Sequence, residues 1–366
     1  MRHITYEIMH LDRVAAIFCT NGFSDPVAPD FMPYNLYLES GSDVDTLVNN
    51  ITNFQYWCAT RVITLDRTYA KEILNSIGVK QAVTDRDRAA IALSYRCVSL
   101  TDVYWVRIQG EHISFADVNL YDNHLSNIFI DISLRGKQFT ADNKDLAHDL
   151  STNGQFPKAW RRTANGFTLL KDGGRDAVER EVLASQISRC FPVPQVLYSK
   201  TFFEGEPVSS SELMTSKAYS IASIEAFEIY SANRDLSTLD FILNLDACGY
   251  YMMNIIDYLV GNTDRHWGNW GVLVDNNTNR PIRLHDLMDF NRAFHAYDTM
   301  DGANCQTTFG RKYTQKEAAI DAVRSIGFQP EKAFDAALFS ELPQYYEMFS
   351  QRVKLLQSVQ ASGSQK

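Results

Sequence analysis

The chain has 366 residues, of which 45% are hydrophobic and 22% are charged, and its net charge is −9. This length allows about two or three domains with substantial cores, and the composition is that of a globular protein. The acidic balance argues against broad binding to nucleic acid or to an anionic membrane, because both require clustered basic charge.

The chain also lacks the usual signals of a membrane or secreted protein. Asn254 and Asp257 interrupt the longest apolar candidate, at 250–260, and a membrane span needs about 20 apolar residues. The first residues contain no apolar segment typical of a signal peptide. Six cysteines are scattered without a C-x-x-C pair, which favours reduced thiols. We therefore expect a cytoplasmic protein without direct contacts to membranes or nucleic acid.

Residues 1–145 mix strand and helix signals and are predicted to form an N-terminal α+β domain of unknown role. The segment 84–87 has the spacing of a capping box and predicts the start of a helix. Apolar runs at 103–108 and 128–134 predict strands. The polar run 137–149 is the predicted domain boundary.

A small, strand-rich lobe is expected over residues 146–230. It opens with a polar stretch at 151–158, where Gly154 would let backbone N–H groups approach a phosphate. An ordinary turn is the alternative that this stretch leaves open. The strand 166–171 follows, and a strand-like run at 218–230 closes the lobe.

The strand 166–171 ends in Lys171, and a helix is predicted to start near Asp176. A lysine on a strand and a glutamate on the next helix form the ion pair that orients nucleotide phosphates in kinases. We expect Lys171 to pair with Glu181, with Glu179 as the competing partner. The alternative is a solvated lysine beside a helix start whose acidic residues suit the helix dipole.

Helical patterns dominate from residue 231 to 359, the expected catalytic lobe, which contains the most informative segment of the chain, Asp264-Arg265-His266-Trp267-Gly268-Asn269. A β-type run at 270–274, a turn-rich segment at 275–281 and Asp289-Phe290 come next. This pattern predicts a hairpin between the loop and the second aspartate.

An Asp and an Asn five positions apart, followed by a second Asp beside a Phe, are arranged as in the catalytic loop and metal ligand of ATP-dependent kinases. Asp264 is the expected base, and Asn269 and Asp289 are the expected Mg²⁺ ligands. The hexapeptide alone is a weak signal, since loop Asp and Asn residues often cap or turn the chain. The spacing of Asp289 and the upstream Lys171 favour the catalytic interpretation.

Beyond this region the sequence predicts helices at 315–326 and 333–359. The polar tail 360–366 is expected to be disordered.

Taken together, these segments resemble the HipA group of bacterial serine/threonine kinases. The similarity spans roughly residues 148–300 and lies in the loop 153–158, in Leu170-Lys171, in Glu181 with the later Val193-Pro194, and in the loop 264–269. The Asp-Arg-His and Asp-Phe motifs are also similar to those of phosphoinositide kinases, members of the same broad superfamily.

The segment 284–290 resembles the metal segment of that family, and on this alignment Asp289 rather than Asp286 binds the metal. Asp286 stands where the family commonly has proline, so both carboxylates remain alternatives. Asn291 replaces the glycine that follows Asp-Phe in protein kinases.

The resemblance implies a two-lobed, protein-kinase-like region, with a small strand-rich lobe and a large helical lobe, behind the N-terminal domain. It implies ATP and Mg²⁺ as cofactors and a Ser/Thr hydroxyl of a protein as acceptor. It also implies an antitoxin partner, because many members are toxins of toxin–antitoxin pairs. The residues that it assigns to nucleotide binding are Gly154, Gln155, Lys158, Lys171 and Glu181.

In this family the phosphate loop carries a serine that can be autophosphorylated, which switches the kinase off. Ser151 and Thr152 are the corresponding candidates here, with turn or capping roles as the alternative. For the whole chain, the alternatives to a protein kinase are a small-molecule phosphotransferase of the antibiotic-kinase type and a nucleotide-binding regulator without turnover.

Overall fold

The structure is a computed structural model that describes residues 3–62, 84–123, 158–163 and 166–363. Helices and sheets occur throughout these residues, which agrees with the predicted mixture of the two. The predicted strand at 128–134, the boundary run at 137–149 and the polar stretch at 151–157 lie outside the described residues.

The N-terminal residues build an antiparallel sheet whose core they share with helices. Its strands are β1 (Thr5–His10), β2 (Arg13–Cys19), β3 (Ser24–Asp25) and β4 (Tyr104–Ile108), in the order β3-β2-β1-β4. The helices are α1 (Val44–Ala59), α2 (Asp85–Ser94) and α3 (Phe115–Val118). The strand predicted at 103–108 is confirmed as β4. The predicted capping box is confirmed too, since the Thr84 hydroxyl accepts from the Asp87 N–H and the Asp87 carboxylate accepts from the Thr84 N–H.

A second antiparallel sheet carries the predicted strand lysine. Its strands are β5 (Lys158–Thr163), β6 (Gly166–Lys171), β7 (Ser199–Phe203) and β8 (Glu206–Glu212), in the order β5-β6-β8-β7. Helix α4 (Arg175–Ser188) follows β6 after a short turn. Gly174 precedes this helix at a φ of 77°, a conformation that glycine adopts without steric cost.

A third sheet consists of β9 (Tyr219–Ser223), β10 (Gly271–Asp275) and β11 (Arg280–Leu284), in the order β11-β10-β9. The predicted hairpin between the catalytic loop and the second aspartate is confirmed as β10 and β11. The strand-like run at 218–230 is wrong beyond Ser223, because helix α5 (Ile224–Ala232) begins there. The Ser223 side chain accepts from the Ala226 N–H, and this N-cap starts the helix despite the apolar run.

The remaining residues are mainly helical and include α6 (Thr238–Val260), α7 (Gln315–Ile326) and α8 (Tyr346–Gly363). Helix α7 has the predicted bounds. The helix predicted at 333–359 is wrong in its first part, where two 3₁₀ turns stand at Ala336–Phe339 and Pro343–Tyr345. Pro343 has no N–H to donate, so a continuous helix is interrupted there. Helix α8 runs to Gly363, four residues into the predicted tail, and Gln360 is held by the Phe328 N–H at 2.6 Å.

The described residues form two large apolar clusters, each dominated by one part of the chain. The first cluster is N-terminal and includes Trp57 and Trp105, and it also takes in Phe167 of β6. The second cluster surrounds α6 and the third sheet, and it takes in Tyr34 from the N-terminal part. The predicted boundary near residue 145 lies outside the described residues. In the part of the chain that the structure describes, no helix has the length and apolar character needed to cross a membrane.

Candidate active site

The centre of the candidate site is an ion pair between Lys171, the last residue of β6, and Glu181 on α4. Lys171 Nζ lies 2.9 Å from Glu181 Oε1, and both residues are buried. Ser209 of β8 is the cross-strand partner of Lys171, and its hydroxyl donates to Glu181 Oε2 at 2.6 Å. The strand pairing and the helix thus fix both ends of this contact.

Glu179 points away from Lys171. It accepts from Lys200 at 2.8 Å and from Arg175 at 3.0 Å. Two positions along a helix correspond to a rotation of about 200°, so Glu179 and Glu181 lie on opposite sides of α4. Of the two glutamates that the sequence offers, the structure brings only Glu181 to Lys171.

Lys171 also reaches the second predicted aspartate. Its Nζ lies 2.5 Å from Asp289 Oδ1, so the ammonium group bridges Glu181 and Asp289. Asp289 has a φ of 60°, and its N–H donates to the Tyr198 hydroxyl at 3.0 Å. A non-glycine residue in this left-handed region is uncommon and has to be held by its surroundings. The lysine and Tyr198 provide such contacts.

The electrostatics of this contact favour the charged forms of both partners. Burial alone would raise the pKa of Asp289, but the positive charges of Lys171 and Lys158 lower it to about 2. Burial would lower the pKa of Lys171, and the carboxylates of Asp289 and Glu181 raise it instead. Lys171 and Asp289 are therefore both charged at neutral pH.

Asp286, the alternative metal ligand, is engaged elsewhere. Its carboxylate accepts from Arg283 Nη2 at 2.7 Å, within the same short segment. Asp289, by contrast, contacts Lys171 directly. Asp289 is thus the carboxylate that meets the Lys171–Glu181 pair, and its role as the metal ligand stays a prediction.

The predicted catalytic loop leaves α6 at a left-handed cap. Gly261 follows the last helical residue at a φ of 59°, and its N–H returns to the carbonyl of Tyr258 at 3.2 Å. Inside the loop, the side-chain oxygen of Asn262 accepts from the Asp264 N–H at 3.2 Å, and Asn269 Nδ2 donates to the Asp264 carbonyl at 2.8 Å. Both ends of the Asp-x4-Asn motif are thereby tied together.

Arg265 forms the buried interior of this loop. Its Nε and Nη2 bind the two carboxylate oxygens of Asp257 at 2.8 and 3.0 Å. Its Nη1 donates to the carbonyls of Asn269 and Met288, at 3.0 and 2.5 Å. One side chain therefore connects α6, the catalytic loop and the segment that carries Asp289.

Other predicted site residues lie at varying distances from this centre. Lys158 on β5 is the register partner of Lys171 on β6, so the two lysines lie at the same end of the sheet. The carboxylate of Asp264 lies 3.9 Å from Arg292 Nε. Gly154, Gln155, Ser151 and Thr152 lie outside the described residues.

Several residues that support the site carry no clear signal in the sequence. In the sequence Asp257 only interrupts an apolar helix, yet a carboxylate inside such a helix indicates a buried partner. Ser209 and Tyr198 gave no local signal, because their roles depend on the pairing of β6 with β8 and on the approach of the 284–290 segment. Among the described residues, no group of three or more His, Cys, Asp or Glu side chains is arranged to hold a metal.

No family model matches the chain, and no curated protein matches it. Among solved structures, it is similar to the proinflammatory kinase CtkA of Helicobacter pylori, at 14% identity and a TM-score of 0.45, over 57% of this chain and 94% of that one. It is also similar to a complex of the toxin–antitoxin proteins HipA and HipB with operator DNA from Shewanella oneidensis MR-1. That likeness has 11% identity and a TM-score of 0.48, over 85% of this chain and 82% of that one. HipA gives its name to the group that the sequence resembles.

Proposed function

We propose that the protein is an ATP- and Mg²⁺-dependent kinase that phosphorylates a serine or threonine hydroxyl of a protein. One observation carries the proposal: Lys171 Nζ lies 2.9 Å from Glu181 and 2.5 Å from Asp289. A lysine held by a helix glutamate beside a metal-binding carboxylate is the arrangement that protein kinases use to bind nucleotide phosphates.

The side chains present suit ATP and Mg²⁺. The carboxylate of Asp289 and the amide oxygen of Asn269 are hard oxygen ligands, and Mg²⁺ takes a few such ligands beside substrate phosphates. Asn269 donates through its nitrogen to the Asp264 carbonyl, which leaves its oxygen as the atom available for a cation. Bound Mg²⁺ would neutralise phosphate charge during transfer.

Residues of the chain would bind the phosphates, accept the proton and hold the catalytic loop in place. Lys171 would contact the phosphates, with Glu181 fixing its position. Asp264 would accept the proton of the acceptor hydroxyl, because its side chain is 28% exposed at the loop surface. Arg265 would hold the loop in register with the metal segment through its bonds to Asp257 and Met288.

The acceptor class and the cellular setting follow from the sequence resemblance. We propose a Ser/Thr acceptor on a protein, an antitoxin partner and a cytoplasmic location. The six cysteines are all free thiols in the structure, which suits a reducing compartment. Co-purification of a tagged chain expressed with its neighbouring genes would test for the antitoxin.

Transfer of label from ATP·Mg²⁺ to proteins of a whole-cell lysate tests the central proposal. Asp264→Asn should lower this transfer roughly 10²–10⁴-fold, as expected for loss of a catalytic base, while Mg-ATP binding persists. Asp301→Asn is the matched control, because it removes a carboxylate that is 64% exposed and is paired with Lys316. Labelling of small molecules instead of proteins, or full transfer by Asp264→Asn, would contradict the proposal.

A further inference from the structure

A ladder of aromatic rings connects the core to the surface of the candidate catalytic loop. Trp270 is 1% exposed and meets Phe309 edge to face at 5.8 Å. Phe309 in turn stacks on Trp267, with ring centroids 5.6 Å apart and an angle of 30°. Trp267 is 38% exposed, so the outermost ring of the ladder is open to solvent.

The polar atoms of Trp267 already have partners inside the protein. Its indole N–H donates to the carbonyl of Gln306 at 3.2 Å, and its own carbonyl accepts from the Glu225 N–H at 3.1 Å. The indole is therefore oriented by the protein itself. The apolar surface of the ring is therefore the part of Trp267 that can contact a ligand. In a buried tryptophan this surface would be covered by the protein.

The segment that carries Phe309 has open space at its surface. At Gly310, which follows Phe309, an added Cβ would meet no atom within 4 Å. Gln306, whose carbonyl orients the indole, is itself exposed. Trp267, Gln306 and Gly310 are therefore all exposed to solvent.

Trp267 lies three residues after Asp264 in the same loop. Three residues of extended chain span at most about 11 Å, and an acceptor hydroxyl must come within hydrogen-bond reach of its base. The ring is therefore close enough to Asp264 for one bound polypeptide to contact both residues.

We infer that Trp267, supported by Phe309, is the platform that binds the acceptor polypeptide. It would hold an aromatic or branched aliphatic side chain within about three residues of the phosphorylated Ser or Thr. This inference rests on the proposed function, because it assumes that Asp264 is the base. Trp267 would determine specificity without taking part in proton or phosphoryl transfer.

A purely structural role for Trp267 predicts different behaviour. If the residue serves only to tether the 304–309 segment through its N–H, then Trp267→Phe should be as damaging as Trp267→Ala. If the ring surface binds the acceptor, then Trp267→Phe should preserve acceptor binding, because it keeps a ring and loses only the N–H.

The test uses the full chain and a positional library of synthetic serine peptides, in which one position at a time within three residues of the serine is Phe, Leu or Gly. Wild type should prefer Phe or Leu at one of these positions. Trp267→Ala should raise the KM for that peptide about tenfold, as expected for loss of an aromatic anchor, and should remove the preference over Gly. The KM for ATP should change less than twofold. Phe202→Ala, which truncates an aromatic ring that is 67% exposed on β7, is the matched control and should change neither constant.

The outcomes separate this inference from the proposed function. Wild type that phosphorylates peptides without any preference, or a Trp267→Ala variant with unchanged peptide KM, overturns the platform and leaves the kinase proposal intact. A Trp267→Phe variant as impaired as Trp267→Ala also overturns it, in favour of the tether. Wild type that phosphorylates neither peptides nor proteins overturns both.

Discussion

The hydroxyl of Tyr104, on β4 of the N-terminal sheet, donates to the side-chain oxygen of Asn279 at 2.8 Å. Asn279 stands in the turn of the β10–β11 hairpin, between the catalytic loop and Asp289. Its Nδ2 donates to the carbonyls of Asp30 and Met32, at 2.9 and 3.1 Å, and its own carbonyl accepts from the Tyr34 hydroxyl at 2.7 Å. The N-terminal region thus holds the hairpin that links the two parts of the candidate site.

Asn279→Ala should therefore destabilise the protein by roughly 2–3 kcal/mol, because it leaves buried partners unsatisfied. Asn279 also has a φ of 54°, which alanine tolerates poorly. Asn279→Gly removes the same side chain and accepts this φ, so the difference between the variants should be about 1 kcal/mol. Urea unfolding of both variants measures these values. Wild-type stability in Asn279→Ala would mean that the hairpin does not depend on these contacts.

Removing Lys171 should affect both turnover and stability. Lys171→Met leaves two carboxylates facing each other without a cation, and we expect a loss of about 3 kcal/mol in the free energy of unfolding and a strong loss of turnover. Glu181→Gln should give a milder turnover defect. Glu179→Gln is the matched control, because its partners Lys200 and Arg175 are partly exposed. Equal turnover defects at positions 179 and 181 would contradict the assignment of Glu181.

Asp289→Asn should abolish the part of the ATP-induced thermal shift that depends on Mg²⁺, because it removes a charged ligand from a hard cation. Asp286→Asn should keep that part, since its carboxylate is bound to Arg283. Each variant is compared with itself in the presence and absence of Mg²⁺, which cancels any effect on basal stability. A Mg²⁺-dependent shift that is lost in Asp286→Asn and kept in Asp289→Asn would reverse the assignment.

His285 should make the protein sensitive to mild acid. Burial lowers its pKa to about 4, below the ordinary value of 6.5. As the pH falls below 6.5, the unfolded chain gains a proton that the folded chain resists, so stability is lost between about pH 6.5 and pH 4. His285→Asn should remove on the order of 3 kcal/mol of this loss. Urea unfolding at pH 7, 5.5 and 4 measures the difference.

His10 provides an internal comparison for that experiment, because burial lowers its pKa to about 4 as well. His10→Asn should reduce the acid sensitivity in a similar way, and His285→Asn alone should leave the part due to His10. Parallel stability curves for wild type and His285→Asn would show that His285 does not resist protonation in the folded state.

Local sequence signals predicted several elements well, both in the N-terminal part and around the candidate site. The turn formers at 275–281 marked the hairpin, and Thr84 with Asp87 marked a helix start. The signals failed where a single side chain overrides a longer pattern, as at Ser223, whose cap starts α5 inside an apolar run. They failed again at Pro343, which follows an apparently helical segment.

The side-chain contacts at the site lay mostly beyond local signals. Lys171 and Glu181 are ten positions apart on adjacent elements, so the order of strand and helix already predicts their meeting. The bond from Asp289 to Tyr198 spans 91 positions, and that from Tyr104 to Asn279 spans 175. Such pairs depend on how separate sheets pack, which no periodicity within one element encodes.

The pairing of Arg265 with Asp257 bears on whether the candidate catalytic loop needs phosphorylation to become ordered. Kinase loops that are ordered by phosphorylation use arginines that are free to meet the new phosphate. Arg265 already binds both oxygens of Asp257 and the carbonyls of Asn269 and Met288. Asp257 therefore supplies the counter-charge of Arg265 within the chain, and under the proposed function we expect activity that does not require phosphorylation of this loop.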